Sequence, residues 1–513
     1  MTDELRADLT ELLARRALTE DAARPDAVER RRAAGGRTAR ENVADLVDDG
    51  SFVEYGRFAI APQRGRRTVE DLIARTPADG MVGGTAQIDG RPSAVLAYDY
   101  TVLAGTQGAV GHHKKDRLFD IIERLRLPTV FFAEGGGGRP GDTDYPAVSA
   151  LHVPAFALWA KLSGLVPRIA VVAGRCFAGN AVIAGCADLI VATENVSIGM
   201  GGPAMIAGGG LGDVAADDVG PAATMVANGV IDVLVADEAE AVVVTKQLLG
   251  YFAGDAEPRE VPDQTALREM VPERERRAYN PLPIIETLAD RDSVLVLRER
   301  FGREMVTAFG RIEGRAVGFI ANDTRHMAGA ITSDCADKAA RFLQLCDAFG
   351  IPIVSLVDTP GMMVGPKAEA TGLVRHTSRL LVAAAALRVP MVAVILRRGY
   401  GLGAQAMTGG SLHEPVLTVA WPTAHVGPMG LEGAVRLGMR KELEQIADEA
   451  EREERVKALT AMAQENAKAI NAAMIFEIDD VIDPAETRGV IASTLAASAG
   501  AVPRDRPRFI DTW

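Results

Sequence analysis

Cysteine is scarce: four residues in 513, and Cys176, Cys186, Cys335 and Cys346 form no CxxC pair and no zinc-ligand spacing. That excludes a disulfide framework and leaves free core thiols in a reducing compartment as the expectation. Positive charge is short too, with 56 Lys and Arg against 69 Asp and Glu, a net charge of −13. A field of that sign opposes non-specific binding to nucleic acid or to anionic membranes. A local basic pocket for an anionic small molecule remains open. No uncharged apolar run reaches the roughly 18 residues a membrane span requires. The opening MTDELRADLTELLARR has no signal-type apolar region and too many acids for a transit peptide, so a soluble cytoplasmic protein is expected. Several catalytic signatures are also missing. There is no GxxxxGK[ST] P-loop, no supported GxGxxG fingerprint and no GxSxG elbow. The adjacent His112 and His113 lack the i, i+4 spacing of a helical metal pair, so no metal site is expected. Cys176 has no base placed for it and reads as structural.

What the sequence does have is glycine, 52 residues, and an internal duplication that organises them. The segment starting at Ile88 matches the segment starting at Ile312, at an offset of 224. Arg91, Asp99 and Gly105 fall on Arg315, Asp323 and Gly329. Leu118, Ile121, Ile122 and Leu125 fall on Phe342, Leu345, Cys346 and Phe349, each set spaced as one apolar helix face. Pro128, Glu134 and Gly137 fall on Pro352, Asp358 and Gly361. VPRIAVVAGRCFAGNA then matches VPMVAVILRRGYGLGA at offset 223, and LIVATENVSIG matches LTVAWPTAHVG at offset 228. An ordered series this long implies two homologous domains, residues 1–270 and 281–513, with the charged stretch GDAEPREVPDQTALREMVPERERRAYNP as linker. In each half apolar β-branched strands (TVFFAE and IAVVAG; IVSLVD and MVAVIL) alternate with helices, which implies an α/β layer fold. The basic stretch from Val28 to Asp48 reads as partly helical, solvated or facing a partner.

Each strand of these pairs runs into a glycine-rich turn, and in open α/β sheets ligands sit beyond the carboxyl ends of strands. A Gly-Gly turn lets backbone N–H groups point into a cavity, where two of them hold the charge that develops on a carbonyl oxygen. NAVIAGCA after Ala178-Gly179 and AQAMTG after Gly403 are each placed to start a helix whose dipole adds to that effect. Two copies suggest a reaction in which two carbonyl-bearing partners both gain enolate character. Residues 135–138, GGGG, fit either such a turn or a plain flexible loop, and HHKK at 112–115 fits either a solvated turn or cations for a nucleotide phosphate.

KAARFLQLCDAFGIPIVSLVDTPG, TGLVRHTSRLL and VAWPTAHVGPMGLEGAV in the second half, with DGMVGGTAQIDGRPSAVLAYDYTVLAGT and GGGGRPGD in the first, carry a resemblance. RRRAAGGRTARENVADLVDDGSFVE near the N-terminus adds to it. From about residue 28 to 445 the chain resembles the carboxyltransferase (β) subunit of biotin-dependent acyl-CoA carboxylases, the propionyl-CoA and acetyl-CoA carboxylase family. The resemblance implies two tandem crotonase-like domains and transfer of a carboxyl group from carboxybiotin, carried on a partner protein, to the α carbon of an acyl-CoA. No side-chain base is needed, because the biotin ureido anion takes the α-proton. The implied oxyanion residues are Gly136 and Gly137 in the first half. In the second they are Gly403 and Ala404 if the count is anchored on Trp421, or Leu402 and Gly403 if it is anchored on Arg397. Lys114, Arg139, Ala178, Gly179, Gly361, Gly401, Gln405 and Ala406 are the expected cofactor contacts, with Gln405 and Ala406 sizing the acyl pocket. Acyl-CoA is expected on the first half and biotin on the second half of a facing subunit, in a homohexamer built as a trimer of dimers.

The chain has no biotinyl-lysine motif of the AMKM kind and no ATP-grasp pattern, so a separate biotin carboxylase and carrier subunit is the implied partner. EGGGGRPGD departs from the family's usual SGGAR turn, and Gln405-Ala406 departs from its usual aromatic-containing pair. These departures leave the acyl group open and keep a degenerate structural subunit as an alternative. The carboxyltransferase subunit of a biotin-dependent decarboxylase is another. A crotonase-type hydratase would need a protein acid–base pair, for which Glu134 is the only first-half candidate.

Overall fold

The computed structural model describes residues 6–139, 141–144, 152–274, 276–498 and 510–513. The chain divides into two compact units, the main body of one being Met1–Gly250 and of the other Tyr251–Arg508. The first is built on a seven-stranded sheet: Val53–Glu54 (β1), Met81–Ile88 (β2), Arg91–Tyr98 (β3), Thr129–Phe132 (β4), Arg168–Val172 (β5), Leu189–Thr193 (β6) and Val233–Val235 (β7), paired in that order. The second, eight-stranded, repeats the path with Leu295–Leu297 (β8), Met305–Ile312 (β9), Arg315–Asn322 (β10), Ile353–Thr359 (β11), Met391–Tyr400 (β12), Leu417–Ala420 (β13) and Asp480–Val481 (β14), and its eighth strand, His425–Gly427, pairs parallel with the end of β12 off that path. In both, the first three strands pair antiparallel and the rest parallel.

Strand register reproduces the sequence offsets residue by residue. Ala94 faces Thr129 and Gly318 faces Ile353, 224 residues on for both partners. Thr129 faces Arg168 and Ile353 faces Met391, so the third strand of this set is 223 residues on. Ile169 faces Leu189 and Val392 faces Leu417, which puts the fourth 228 on. The central parallel strands are covered on both faces, which is why β4 and β11 are buried at every position and read as continuous apolar runs.

Two 17-residue helices follow, Ala109–Leu125 (α1) and Ser333–Phe349 (α3), with Gly179–Gly185 (α2) and Gly401–Met407 (α4) heading the second turns. Leu118, Ile121 and Ile122 of α1 are buried in the first core, and Phe342, Leu345 and Cys346 of α3 are buried in the second unit. Leu125 departs from the expected face: it is the last helical residue and is 61% exposed. Before each long helix the chain makes the same tight turn, with positive φ at Leu103, Ala104 and Gly105 and again at Met327, Ala328 and Gly329. Glycine ends both because a Cβ there would stand 2.8 Å from the Glu134 carbonyl oxygen, or 2.6 Å from that of Asp358.

Two expectations change. Of the stretch 254–281, read as linker, the described residues pack onto the second unit: Leu267 and Val271 are in its core, and Ala256 N donates to Gly314 O at 3.0 Å. The stretch from Val28 to Asp48 is helical and solvated in its first part, where Glu29, Arg30 and Arg32 are exposed, but not in its second. Thr38 opens the helix Ala39–Leu46 with a reciprocal capping box to Glu41, and Val43 and Leu46 are buried. The four cysteines are unpaired, and burial holds Cys335 up at about 12, far from the thiolate form. Among the described residues no helix is long and apolar enough to cross a membrane.

Candidate active site

In the first unit β4 runs through Ala133-Glu134 into the glycine turn. Gly137 has φ +90°, and a Cβ there would stand 2.9 Å from the Cβ of Ala178, so the two turns meet backbone against backbone. The turn is tied down by its own amides. Gly136 N donates to Ala104 O at 3.1 Å, Gly137 N to Asn180 Oδ1 at 3.0 Å, and Arg139 N to Gln107 O at 3.0 Å. GGGG is therefore no loose loop. The N–H groups expected to hold an oxyanion, those of Gly136 and Gly137, are already spent on holding the turn. The next N–H, that of Gly138, has no protein acceptor among the described residues.

The second unit repeats this. Gly361 (φ +125°) donates its N–H to Thr359 Oγ1 at 3.1 Å, Ile331 N donates to Gly361 O at 3.1 Å, and Met363 N to Ile331 O at 2.9 Å. Met362 thus occupies the position of Gly138. A Cβ on Gly403 would stand 2.6 Å from the Gly361 backbone. Positive φ marks Ala178 (52°) and Gly401 (57°), 223 residues apart. This matches Gly179 with Leu402 and Asn180 with Gly403, the register anchored on Arg397. The first turn of a helix leaves N–H groups without intrahelical partners. Those of Gly179 in α2 and Leu402 in α4 fall in that turn. Ala404, the fourth residue of α4, is within reach of the Tyr400 carbonyl, so it is not one of the orphans.

The carboxylates beside the turns are clamped. Arg31 grips Glu134 with two hydrogen bonds of 2.8 and 2.6 Å, and Glu238 stands close by. Burial, opposed by Arg31, pushes Glu134 up to about 7. Asp358, its counterpart, takes Arg397 Nε at 2.9 Å and Arg398 Nε at 2.7 Å. Both oxygens of Glu134 are taken by Arg31, which counts against it as half of a hydratase acid–base pair.

Other expected contacts are placed differently from the sequence reading. Lys114 is buried, with Nζ donating to the carbonyls of Ala78 and Met81. Its repeat Lys338 donates to Phe301 O at 2.9 Å and Met305 O at 2.6 Å, so this lysine is a duplicated structural strut rather than a phosphate ligand. His112 is pushed down to about 3 by burial and then by Lys115, so it carries no charge for a phosphate. Arg139 is buried against Asp79, and its Nη2 donates to Thr106 O at 3.0 Å. Gln405 is exposed whereas Ala406 is fully buried, so α4 turns them to opposite environments and Ala406 cannot size a pocket directly. Sequence reasoning missed Asn180 and Gln107, and took Lys115 only as one of the HHKK charges; together they join the first-unit turns. The one signal available was that Asn180 breaks the glycine pattern at the position of Gly403. A cavity of about 410 Å³ adjoins the second-unit turn, lined by Arg276, Thr324, Pro360, Arg398, Tyr400 and Leu431.

Two α/β domains of like topology, each with a pair of interlocked turns at the carboxyl ends of parallel strands, define a crotonase-like enzyme of the carboxyltransferase class. The carboxyl transferase domain model matches residues 30–507, and the chain belongs to that family. It is 35% identical over 486 residues to the methylmalonyl-CoA carboxyltransferase 12S subunit of Propionibacterium freudenreichii subsp. shermanii, covering 91% of this chain and 90% of the relative. It superposes on the transcarboxylase 12S crystal structure with methylmalonyl-coenzyme A bound, at TM-score 0.87 and 32% identity, covering 99% of this chain and 98% of that one. A single-chain, multi-domain long-chain acyl-CoA carboxylase matches at TM-score 0.91 and 52% identity, over 96% of this chain and 49% of that one. The present chain thus spans about half the length of that carboxylase. It is a biotin-dependent acyl-CoA carboxyltransferase.

Proposed function

We propose that this chain transfers a carboxyl group from carboxybiotin, delivered by a separate biotin carboxylase and carrier subunit, to the α carbon of an acyl-CoA. The observation that carries the reading is the family match across both halves, joined to two turns that offer backbone N–H groups where oxygens gain charge. The first half takes the acyl-CoA, with the N–H groups of Gly138 and Gly179 as the donors for the thioester oxygen. The second half takes the biotin ureido oxygen with those of Met362 and Leu402. The cavity beside Tyr400 suits a ring system of that size. Carboxybiotin supplies both the carboxyl group and, once that group has left, the base for the α-proton. The chain's own part is to hold two oxygens, exclude water and keep the reacting carbons aligned. Gly137 against Ala178 supports the first pair of turns, and Gly403 against Gly361 the second.

The assembly that fits this reading is a homohexamer built as a trimer of dimers, acting in the cytoplasm. The hexamer of the 12S structure supports it. The test uses purified protein, free biotin and a panel of malonyl-, methylmalonyl- and longer carboxylated acyl-CoAs, with mass spectrometry following biotin-dependent loss of the carboxyl group. Loss from one homologue establishes the reaction and names the acyl class. Loss from none, with CoA bound, overturns catalysis in favour of a structural subunit.

A further inference from the structure

Lys115 lies in α1 with no exposed surface, yet among the described residues no carboxylate touches its ammonium. Nζ donates to Tyr98 Oη from β3 and to Gln107 Oε1, each at 2.7 Å. It lies 5.8 Å from the ring centre of Phe156. The charged and titratable groups acting on it are Asp116 and His112 of its own helix and Tyr98 across from it. Burial pushes this lysine down to about 7.

The chemistry of the partners sets a direction. As an ammonium Lys115 donates and never accepts, and it is the oxygen of the Gln107 amide that faces its Nζ. The nitrogen of that amide then faces away, and Gln107 Nε2 donates to Asn180 Oδ1 at 3.2 Å. Asn180 Oδ1 also receives the Gly137 N–H at 3.0 Å. The remaining end of Asn180, Nδ2, points to the carbonyls of Glu134 and Gly105 at 3.3 and 3.4 Å. Gln107 also lies under the head of α2, where a Cβ on Gly179 would stand 2.9 Å from its Nε2. The Nζ–H donated to Gln107 Oε1 thus sets the orientation of two buried amides, and those amides join both first-unit turns.

The second unit lacks all of this. By the two offsets, Lys115, Gln107 and Asn180 correspond to Ala339, Ile331 and Gly403, and there the turns close on bare backbone. The strut Lys114 was kept in both copies, as Lys338, whereas the chain through Lys115 exists only in the first. A requirement of the shared scaffold would appear in both.

We propose that Lys115 is a positioning residue for the acyl-CoA turn, acting through Gln107 and Asn180 to hold the N–H groups of Gly138 and Gly179 in their working directions. This rests on the reading of the first half as the acyl-CoA half. With the relay intact the thioester oxygen meets donors that need no reorganisation as charge develops.

The test is the biotin-dependent loss of carboxyl from the best carboxylated acyl-CoA, with kcat and KM measured separately. Lys115→Met keeps the length of the side chain and removes the donor. It lowers kcat by about 10- to 100-fold while KM for the acyl-CoA changes by less than about threefold, since a misdirected turn loses interactions made in the transition state. Lys115→Gln, which restores a donor, recovers several-fold of that loss. Lys115→Met and Asn180→Ala combined cost no more than the worse single variant, because one relay is cut twice. An unchanged kcat in Lys115→Met, a loss confined to KM, or losses that multiply in the double variant overturns the relay. If Lys115→Met does not fold, as read by thermal unfolding, Gln107→Leu paired with Asn180→Ala carries the same comparison. A wild-type protein inactive on every homologue overturns the functional reading, whereas an active wild type matched by Lys115→Met overturns the relay alone.

Discussion

Replacing Gly403 by alanine tests whether the close meeting of two turns sets the rate in the second unit. Gly403 has ordinary negative-side backbone geometry, so alanine introduces a contact and no backbone strain. Its Cβ would stand 2.6 Å from both C and Cα of Gly361 and 3.0 Å from its oxygen. Neither neighbour is a flexible side chain. Restoring van der Waals separation needs a movement of roughly 0.8 Å, and displacements near 1 Å cost about 10²-fold in aligned reactions. The expected result is a fall in kcat of about 10- to 100-fold. Overpacking of this kind costs about 1–3 kcal/mol, and a domain of this size loses about 2–4 °C of Tm for each kcal/mol. The assay is carboxyl loss from the preferred carboxylated acyl-CoA with free biotin, alongside thermal unfolding. Gly438→Ala is the control: it is helical, exposed, and has nothing within 4 Å of the new Cβ. It leaves the rate unchanged and, being at the last position of its helix, gains less than the roughly 0.5–1 kcal/mol of a helix interior. Gly403→Ala turning over at the wild-type rate would refute the argument that the Gly361 contact aligns the site.

Lys114→Met lowers Tm, because two carbonyls lose a buried donor at about 1–3 kcal/mol, yet leaves the acyl-CoA KM unchanged; a raised KM in steady-state kinetics would restore the phosphate reading. Thr38→Ala breaks the capping box and costs about 1 kcal/mol in thermal or urea unfolding. Arg31→Met leaves Glu134 buried without its partner and costs about 3–5 kcal/mol at pH 8, less at pH 5.5 where the carboxyl is protonated; equal losses at both pH values would contradict this. Lys115 has a folded pKa lowered to about 7, so the folded state binds fewer protons than the unfolded state from there up to the ordinary lysine value. Its contribution to stability therefore rises with pH over that window, by at most about 1.4 kcal/mol per pH unit, and is lost as pH falls through 7. Comparing wild type with Lys115→Met in urea at pH 7 and 9 reads that slope directly.

The duplication was legible because glycines and β-branched runs recur in fixed order, and strand register follows the same three offsets. The turns were legible as turns. Which N–H groups they offer was not, since that depends on acceptors far away in sequence, Ala104 for Gly136 and Asn180 for Gly137. The lysines of HHKK were misread for a related reason. A charged run suggests solvent, but α1 turns Lys114 and Lys115 inward, where carbonyls and an amide receive them. Leu125 erred the other way: periodicity places it on the apolar face, but the helix ends there and nothing covers it. The register of the second turn, open in sequence, follows from a backbone angle shared by Ala178 and Gly401.

The changes of offset locate where the two copies differ in length. From β5 to β6 the first copy needs fewer residues than the second does from β12 to β13, and the surplus lies past the far end of α4, in Gly409–Val416. The helix head, pinned to its turn, keeps the same step in both copies, while the loop after its tail takes up the difference. That loop is a natural port for engineering: a reporter peptide or affinity handle spliced between Gly410 and Glu414 enters where length has already varied once, leaving the N-terminal end of the helix in place.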